Sequence, residues 1–335
     1  LILKVSTDKR IRLVSTAMML TELPELELRK PHAHHFLYED TMRHLAGRKQ
    51  PELLNSLLKD GTAYYFLFTY AVNLSWPDLE PLSFPDYLYR YEPALCASKL
   101  HLELRELLAS ADLESLWEGQ KTGWEKLERD ASTALEDNRI EELLRDFFGD
   151  HGRNLFFFPN PLFPELASLG AASDNCLYCI ARYPGRSSQK WPHEPGVTLP
   201  GEEFGSFGDQ PVWSRIVAFH EFCHPLIDPL ITAKPELVEA LRTSPFSRGV
   251  LSAFMDRYPS WEDMLAEFLI YAMTYAYLFH EFDRETAEIF HRTMEERSGF
   301  SGVRPMGEPL LRYLEERKNG EYTNLFDYLP VMFNL

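Results

Sequence analysis

Apolar residues recur at helical spacing along most of this chain. Leucines set among charged residues predict amphipathic helices over 94–109, 113–135 and 139–148, the last stopped by Gly149 and Gly152. Residues 36–45 and 51–58 read as further helices, with Pro51 suited to a first turn and Gly61 to a stop. The stretch from Thr62 to Leu74 carries Tyr64, Tyr65, Phe66, Phe68 and Tyr70; it is long for a strand and predicts a buried helix. Residues 1–20 read as an extended start turning helical around Leu13. The prolines and aromatics of 75–95 describe a loop that packs on the core or lines a cleft.

The period changes near residue 150. Short apolar runs at 154–158 and 175–182, with Pro159 and Pro161 after the first, predict strands. Residues 184–208 hold several prolines and glycines and read as a long loop, of the kind that is often functional. Helical spacing returns at 236–243, 261–282, 285–297 and 308–317, before an aromatic tail over 322–333 that reads as irregular. The pattern predicts an α+β, predominantly helical fold with a small sheet. A soft boundary near 150 would divide a helical region, 1–150, from a second region, 151–335, unless the two share one core.

Composition narrows the class. The chain has 335 residues, 45% of them hydrophobic and 13% aromatic, enough for a sizeable core. A formal charge of -17 argues against nucleic acid as a partner, which calls for a basic footprint. No uncharged stretch reaches the length of a membrane span, so a soluble protein is expected. The chain starts at Leu1 without a visible leader, which leaves the compartment open, export and processing included. Of the four cysteines, Cys176 and Cys179 form a single C-x-x-C pair. One pair without neighbouring histidines is a weak zinc signal, with a redox pair or an incidental turn equally open. His32, His34 and His35, with His44 beyond, read as surface or cap histidines.

The strongest chemical signal is His220-Glu221-Phe222-Cys223-His224. His-Glu-x-x-His on a helix puts two imidazoles one turn apart on one face, where both reach one metal ion. Glu221 then stands beside the ion as a base for water. Cys223 turns away from that face and reads as core. Pro225 and Pro229 are expected to end this helix soon after the ligands. A catalytic zinc takes three protein ligands and keeps one position open. Position 230, where a third histidine stands in one large class of such sites, is Leu230. The segment from Ser260 to Ala272 supplies a carboxylate instead. Ser260 is a fair N-cap, and Glu262 and Asp263 fall in the first turn, where carboxylates favour the helix dipole. Glu267 stands further along, in an almost wholly apolar helix, where a charge is costly unless paired or bound to metal. It is the expected third ligand, with Glu262 the fallback. Tyr271 lies one turn further on the same face, suited to donate to an oxyanion or simply to pack.

In these blocks the chain resembles the DUF4932 family, uncharacterised zinc metallopeptidase-like proteins. The resemblance rests on Asp8-Lys9-Arg10-Ile11-Arg12-Leu13-Val14-Ser15, on His220 to His224 with Ile227-Asp228-Pro229-Leu230, and on Glu267 to Ala272. It implies a zincin-like core, with His220, His224 and Glu267 as zinc ligands and Glu221 as base. Asp228 and Tyr271 depart from the family pattern, which bears on substrate contacts rather than ligands. The expected function is zinc-dependent hydrolysis of a peptide or protein. The alternatives are a metal-binding protein without turnover and a helical protein in which the motif is coincidental.

Overall fold

The computed structural model describes residues 3–21, 35–60, 63–162, 168–184, 206–243, 260–298, 300 and 302–334. Among them lie four strands and a majority of helix. The N-terminal part runs β1 (Lys4–Val5), α1 (Lys9–Met19), α2 (Phe36–His44), α3 (Glu52–Lys59), α4 (Tyr64–Val72), α5 (Asp86–Tyr91), α6 (Pro93–Ala97), α7 (Leu100–Ser110), α8 (Leu113–Gly119), α9 (Lys121–Ala134) and α10 (Ile140–Phe148). Then come β2 (Asn154–Asn160), β3 (Leu169–Ser173), β4 (Cys176–Arg182), α11 (Pro211–Ala233), α12 (Pro235–Thr243), α13 (Trp261–Glu281), α14 (Arg284–Ser298), α15 (Val303–Lys318) and α16 (Leu325–Met332).

The sheet has the order β1-β2-β4-β3. β1 and β4 both pair parallel to β2, while β3 pairs antiparallel to β4 and forms one edge. β2 (Asn-Leu-Phe-Phe-Phe-Pro-Asn) is apolar on both faces, as expected of a strand covered on both sides. Buried polar groups pin the helices to it. Asn160 Nδ2 donates to Ser15 Oγ at 2.9 Å, fixing β2 to α1. Asn73 Nδ2 donates to the Ala172 carbonyl at 2.8 Å, fixing the end of α4 to β3. The buried apolar residues form one cluster from Ile11 to Phe333.

Two long helices carry the chemistry. α11 crosses β3 and β4 and packs along α13. Phe219 stacks on Tyr277 with ring centroids 4.5 Å apart and planes 4° apart, and Arg215 pairs with the buried Glu281. α13 starts as its sequence asks: the Ser260 hydroxyl accepts from the Asp263 N–H and donates to its carboxylate.

Four expectations are corrected. α11 does not stop at its prolines; it runs 23 residues with Pro225 and Pro229 inside. Proline cannot donate to the carbonyl four residues back, so the Glu221 carbonyl is left free of that bond, and it faces Gly170 of β3. The sheet gains β3, whose Leu-Gly-Ala-Ala-Ser run has little strand propensity. The segment 75–95 contains α5 and α6 rather than loop alone, and the tail contains α16, capped by the Asn324 side chain. His35 and His44 do serve helix ends and carbonyls: His35 Nδ1 accepts from Leu37 N–H, and His44 Nε2 lies 2.6 Å from the Ala111 carbonyl. His32, His34, Gly61 and residues 185–205 lie outside the described residues. No helix of the described residues is long and apolar enough to cross a membrane.

Candidate metal centre

α11 and α13 lie side by side so that their residues meet in rungs. His220 faces Tyr271, with ring centroids 4.9 Å apart. Glu267 sits between the two histidines: its carboxylate oxygens lie 3.6 Å from His220 Nε2 and 3.6 Å from His224 Nε2. One ligand atom from each of the three falls within 4.8 Å of the others, so the trio can chelate a metal ion. Glu262, the fallback, is exposed at the helix start.

The donors suit a cation better than they suit one another. Glu267 Oε2 is buried without a hydrogen-bond partner. A buried carboxylate oxygen left bare is costly, and an ion within the trio would satisfy it. Burial lowers the His224 pKa to about 4 and pushes that of His220 well down, so both rings are neutral and keep a nitrogen lone pair. Burial, with Asp263 adding to it, raises Glu267 to about 7. Two nitrogens and one carboxylate are the donor set of an open zinc site.

Glu221 occupies a different position. It is 8% exposed, and burial, then the Glu267 charge, raise its pKa well above the usual carboxylate range. The Gly170 N–H donates to it and opposes that rise. The contact is close because position 170 has no side chain. A Cβ there would stand 2.3 Å from the Glu221 carbonyl oxygen and 3.0 Å from Pro225 Cδ. The edge strand thus lies directly on the turn of α11 that carries the motif.

Both elements open onto a cavity of about 650 Å³. His220, Glu221, His224, Glu267 and Tyr271 all line it, so the residues singled out in the sequence as ligand, base or oxyanion donor are brought to one space, the fallback Glu262 excepted. Its far wall comes from α4 and α5, with Tyr64, Tyr65, Phe66 and Tyr87. α4 was legible as a buried helix and the 75–95 stretch as a loop that packs on the core or lines a cleft, but their meeting with the motif was not. Asp228 and Asp263, one turn beyond His224 and one turn before Glu267, line it too. Their spacing of four from a ligand was the available signal, since i and i+4 share a helix face.

The cysteines stay out. Cys176 and Cys179 stand three apart on β4, so they point to opposite faces, and both are free thiols. Cys223 is fully buried, as its place in the motif predicts. Among the described residues, His220, His224 and Glu267 are the single group of three or more such side chains close enough for one ion. No family model, no curated protein and no solved structure matches the chain.

Proposed function

We propose that the protein is a zinc-dependent hydrolase of peptides, with a zincin-like core and kinship to the DUF4932 family. The observation that carries this reading is the convergence of a chelating trio and a separate buried carboxylate, Glu221, on one cavity. A purely structural site needs no such carboxylate, and burying one costs stability. A metal-binding role without turnover leaves Glu221 unexplained.

In this reading His220, His224 and Glu267 hold the ion. Zinc supplies Lewis acidity to a water and to the scissile carbonyl. Glu221, oriented by the Gly170 N–H, takes the proton of the attacking water and hands it to the departing amine. Its raised pKa suits a group that must hold that proton between the two steps. The Tyr271 hydroxyl donates to the oxyanion. An extended peptide fits beside β3, whose outer edge carries no strand partner among the described residues and borders the cavity.

Elemental analysis of protein prepared without chelator is expected to find about one zinc per chain, following the single three-ligand set. A peptide-library assay on that protein is expected to show cleavage, lost in Glu221→Gln with zinc retained. Zinc that persists in the His220→Ala, His224→Ala double variant would place the ion elsewhere. Cleavage that survives Glu221→Gln would remove the base.

A further inference from the structure

The cavity is charged unevenly along α11. Arg182 stands over Trp213, near the start of that helix, with its guanidinium carbon 5.1 Å from the ring. Asp228 lies 15 residues after Trp213, about 22 Å along the helix, with the chelating trio between. Asp228 and Asp263 therefore form the next rung of the α11–α13 pair, four residues, about 6 Å, from the rung that would hold the ion.

Asp228 has no hydrogen-bond or ion-pair partner among the described residues. The charged groups that act on it, Glu267 and Asp263, are both negative. It is half-buried, and it lines the cavity. Asp263 spends one carboxylate oxygen on the Ser260 hydroxyl at 2.7 Å. Aromatic rings stand across from the pair. Tyr65 feels both Asp263 and Asp228, and Tyr87 feels Asp228. Phe66 bridges them, its ring centroid 4.4 Å from that of Tyr65 and 6.4 Å from that of Tyr87. A half-buried, unpaired carboxylate and an exposed one, lining one cavity with aromatic rings, are the donor set of an organic cation, held by charge on one side and by ring faces on the other. Among the described residues, the rung does not offer three ligating side chains close enough for a second metal ion.

We propose that the rung of Asp228 and Asp263, which shares the cavity with Tyr65, Phe66 and Tyr87, is a subsite for a cationic group of the substrate, about one helical turn from the metal-binding rung. The assignment rests on the hydrolase reading for the identity of its ligand as part of a substrate. The cation is an ammonium or guanidinium, carried either by a basic side chain or by a free peptide N-terminus.

Three peptides separate these sources: Ac-Ala-Ala-Lys-Leu-Ala-Ala-NH2, the same peptide with norleucine for lysine, and the norleucine peptide with its N-terminus unblocked. Binding is measured by calorimetry on zinc-loaded Glu221→Gln protein, so that no turnover intervenes. At least one cationic peptide is expected to bind about tenfold or more tightly than the neutral one, the scale of a charged hydrogen bond. Asp228→Asn, or Asp263→Asn should the first variant fold poorly, is expected to erase that advantage and leave the neutral peptide unchanged. A gain confined to the lysine peptide assigns the subsite to a basic side chain; one confined to the unblocked peptide assigns it to a terminus. Equal binding of all three peptides, no binding by any, or an advantage that survives both Asn variants overturns the subsite. Wild-type protein that binds with the charge preference but cleaves none of the three, nor any library peptide, sinks the hydrolase reading and leaves the cation subsite standing.

Discussion

Two carboxylates on α13 differ by five positions and by everything that surrounds them. Glu267 is held between two neutral imidazoles with one oxygen bare, while Glu262 is exposed. Glu267→Ala is expected to lower zinc affinity by about 10-fold or more, and Glu262→Ala to leave it unchanged within error. Zinc titration of the two purified variants reads this directly, and equal affinities would remove Glu267 from the trio. Asp228 makes a second residue-scale prediction. Its pKa is raised to about 8, by burial first and then by Glu267 and Asp263. An acid raised in the fold binds its proton more tightly there than when unfolded, so its contribution to stability is lost as pH climbs from the ordinary carboxylate range through about 8. Asn carries no such charge. Metal-free Asp228→Asn should therefore match the wild type in thermal stability at low pH and exceed it increasingly toward pH 8, as scanning calorimetry across that range would show. A variant no more stable at the upper end would mean that the carboxylate is compensated.

At the scale of elements, the decisive contact is a strand glycine, Gly170, lying on a helix with a missing hydrogen bond. Gly170→Ala would press a methyl carbon against the Glu221 carbonyl oxygen at 2.3 Å, which cannot swing away as a flexible side chain would. The expected cost is about 1–3 kcal/mol of stability, the usual penalty for overpacking, with a further loss of cleavage as Glu221 is displaced. Urea unfolding and activity of the one variant measure both, and an unperturbed protein would mean that β3 gives way freely. The same contact explains what the sequence hid. Two histidines four apart and a carboxylate in an apolar helix were legible, because helix geometry alone fixes which residues share a face. Leu169 to Ser173 was not, because small residues in a strand are chosen by what lies above them. The continuation of α11 past Pro225 was hidden for the same reason: the lost bond is accommodated where Gly170 approaches, and only the fold makes that approach.

Across the whole molecule the candidate centre is a small part of a large core. The apolar cluster runs from Ile11 to Phe333 and includes the faces of α11 and α13 away from the cavity. Chelation is therefore expected to leave the far-UV dichroism unchanged and to lower Tm by several degrees, with added zinc restoring it in proportion to the logarithm of its concentration. Collapse of the dichroism on chelation would instead make the ion part of the fold, as in small zinc domains. The helical character of most of 1–148 outside 75–95, the strands at 154 and 176 and the long helix from Trp261 were legible from period, and the helix of the two histidines from its motif but not in its length. The cavity was not, since α4 and α5 reach it from the other half of the chain, and no periodicity encodes which helix will face which.

β1, the shortest of the described elements, makes the strand pairing of longest reach in the sheet. Lys4 and Val5 pair with Phe156 and Phe157, so the first strand finds its partner only after all the helices between have been made. During synthesis α1 to α10 all precede the strand with which Lys4 and Val5 pair. The two histidines of α11 follow the sheet, and Glu267 comes later still. A nascent chain thus passes through an interval in which its sheet is complete and two imidazoles are ready, but the third donor is still inside the exit tunnel. An ion captured in that interval would be held by two groups and readily exchanged, so on the zinc reading the three-donor site is complete only once α13 has docked.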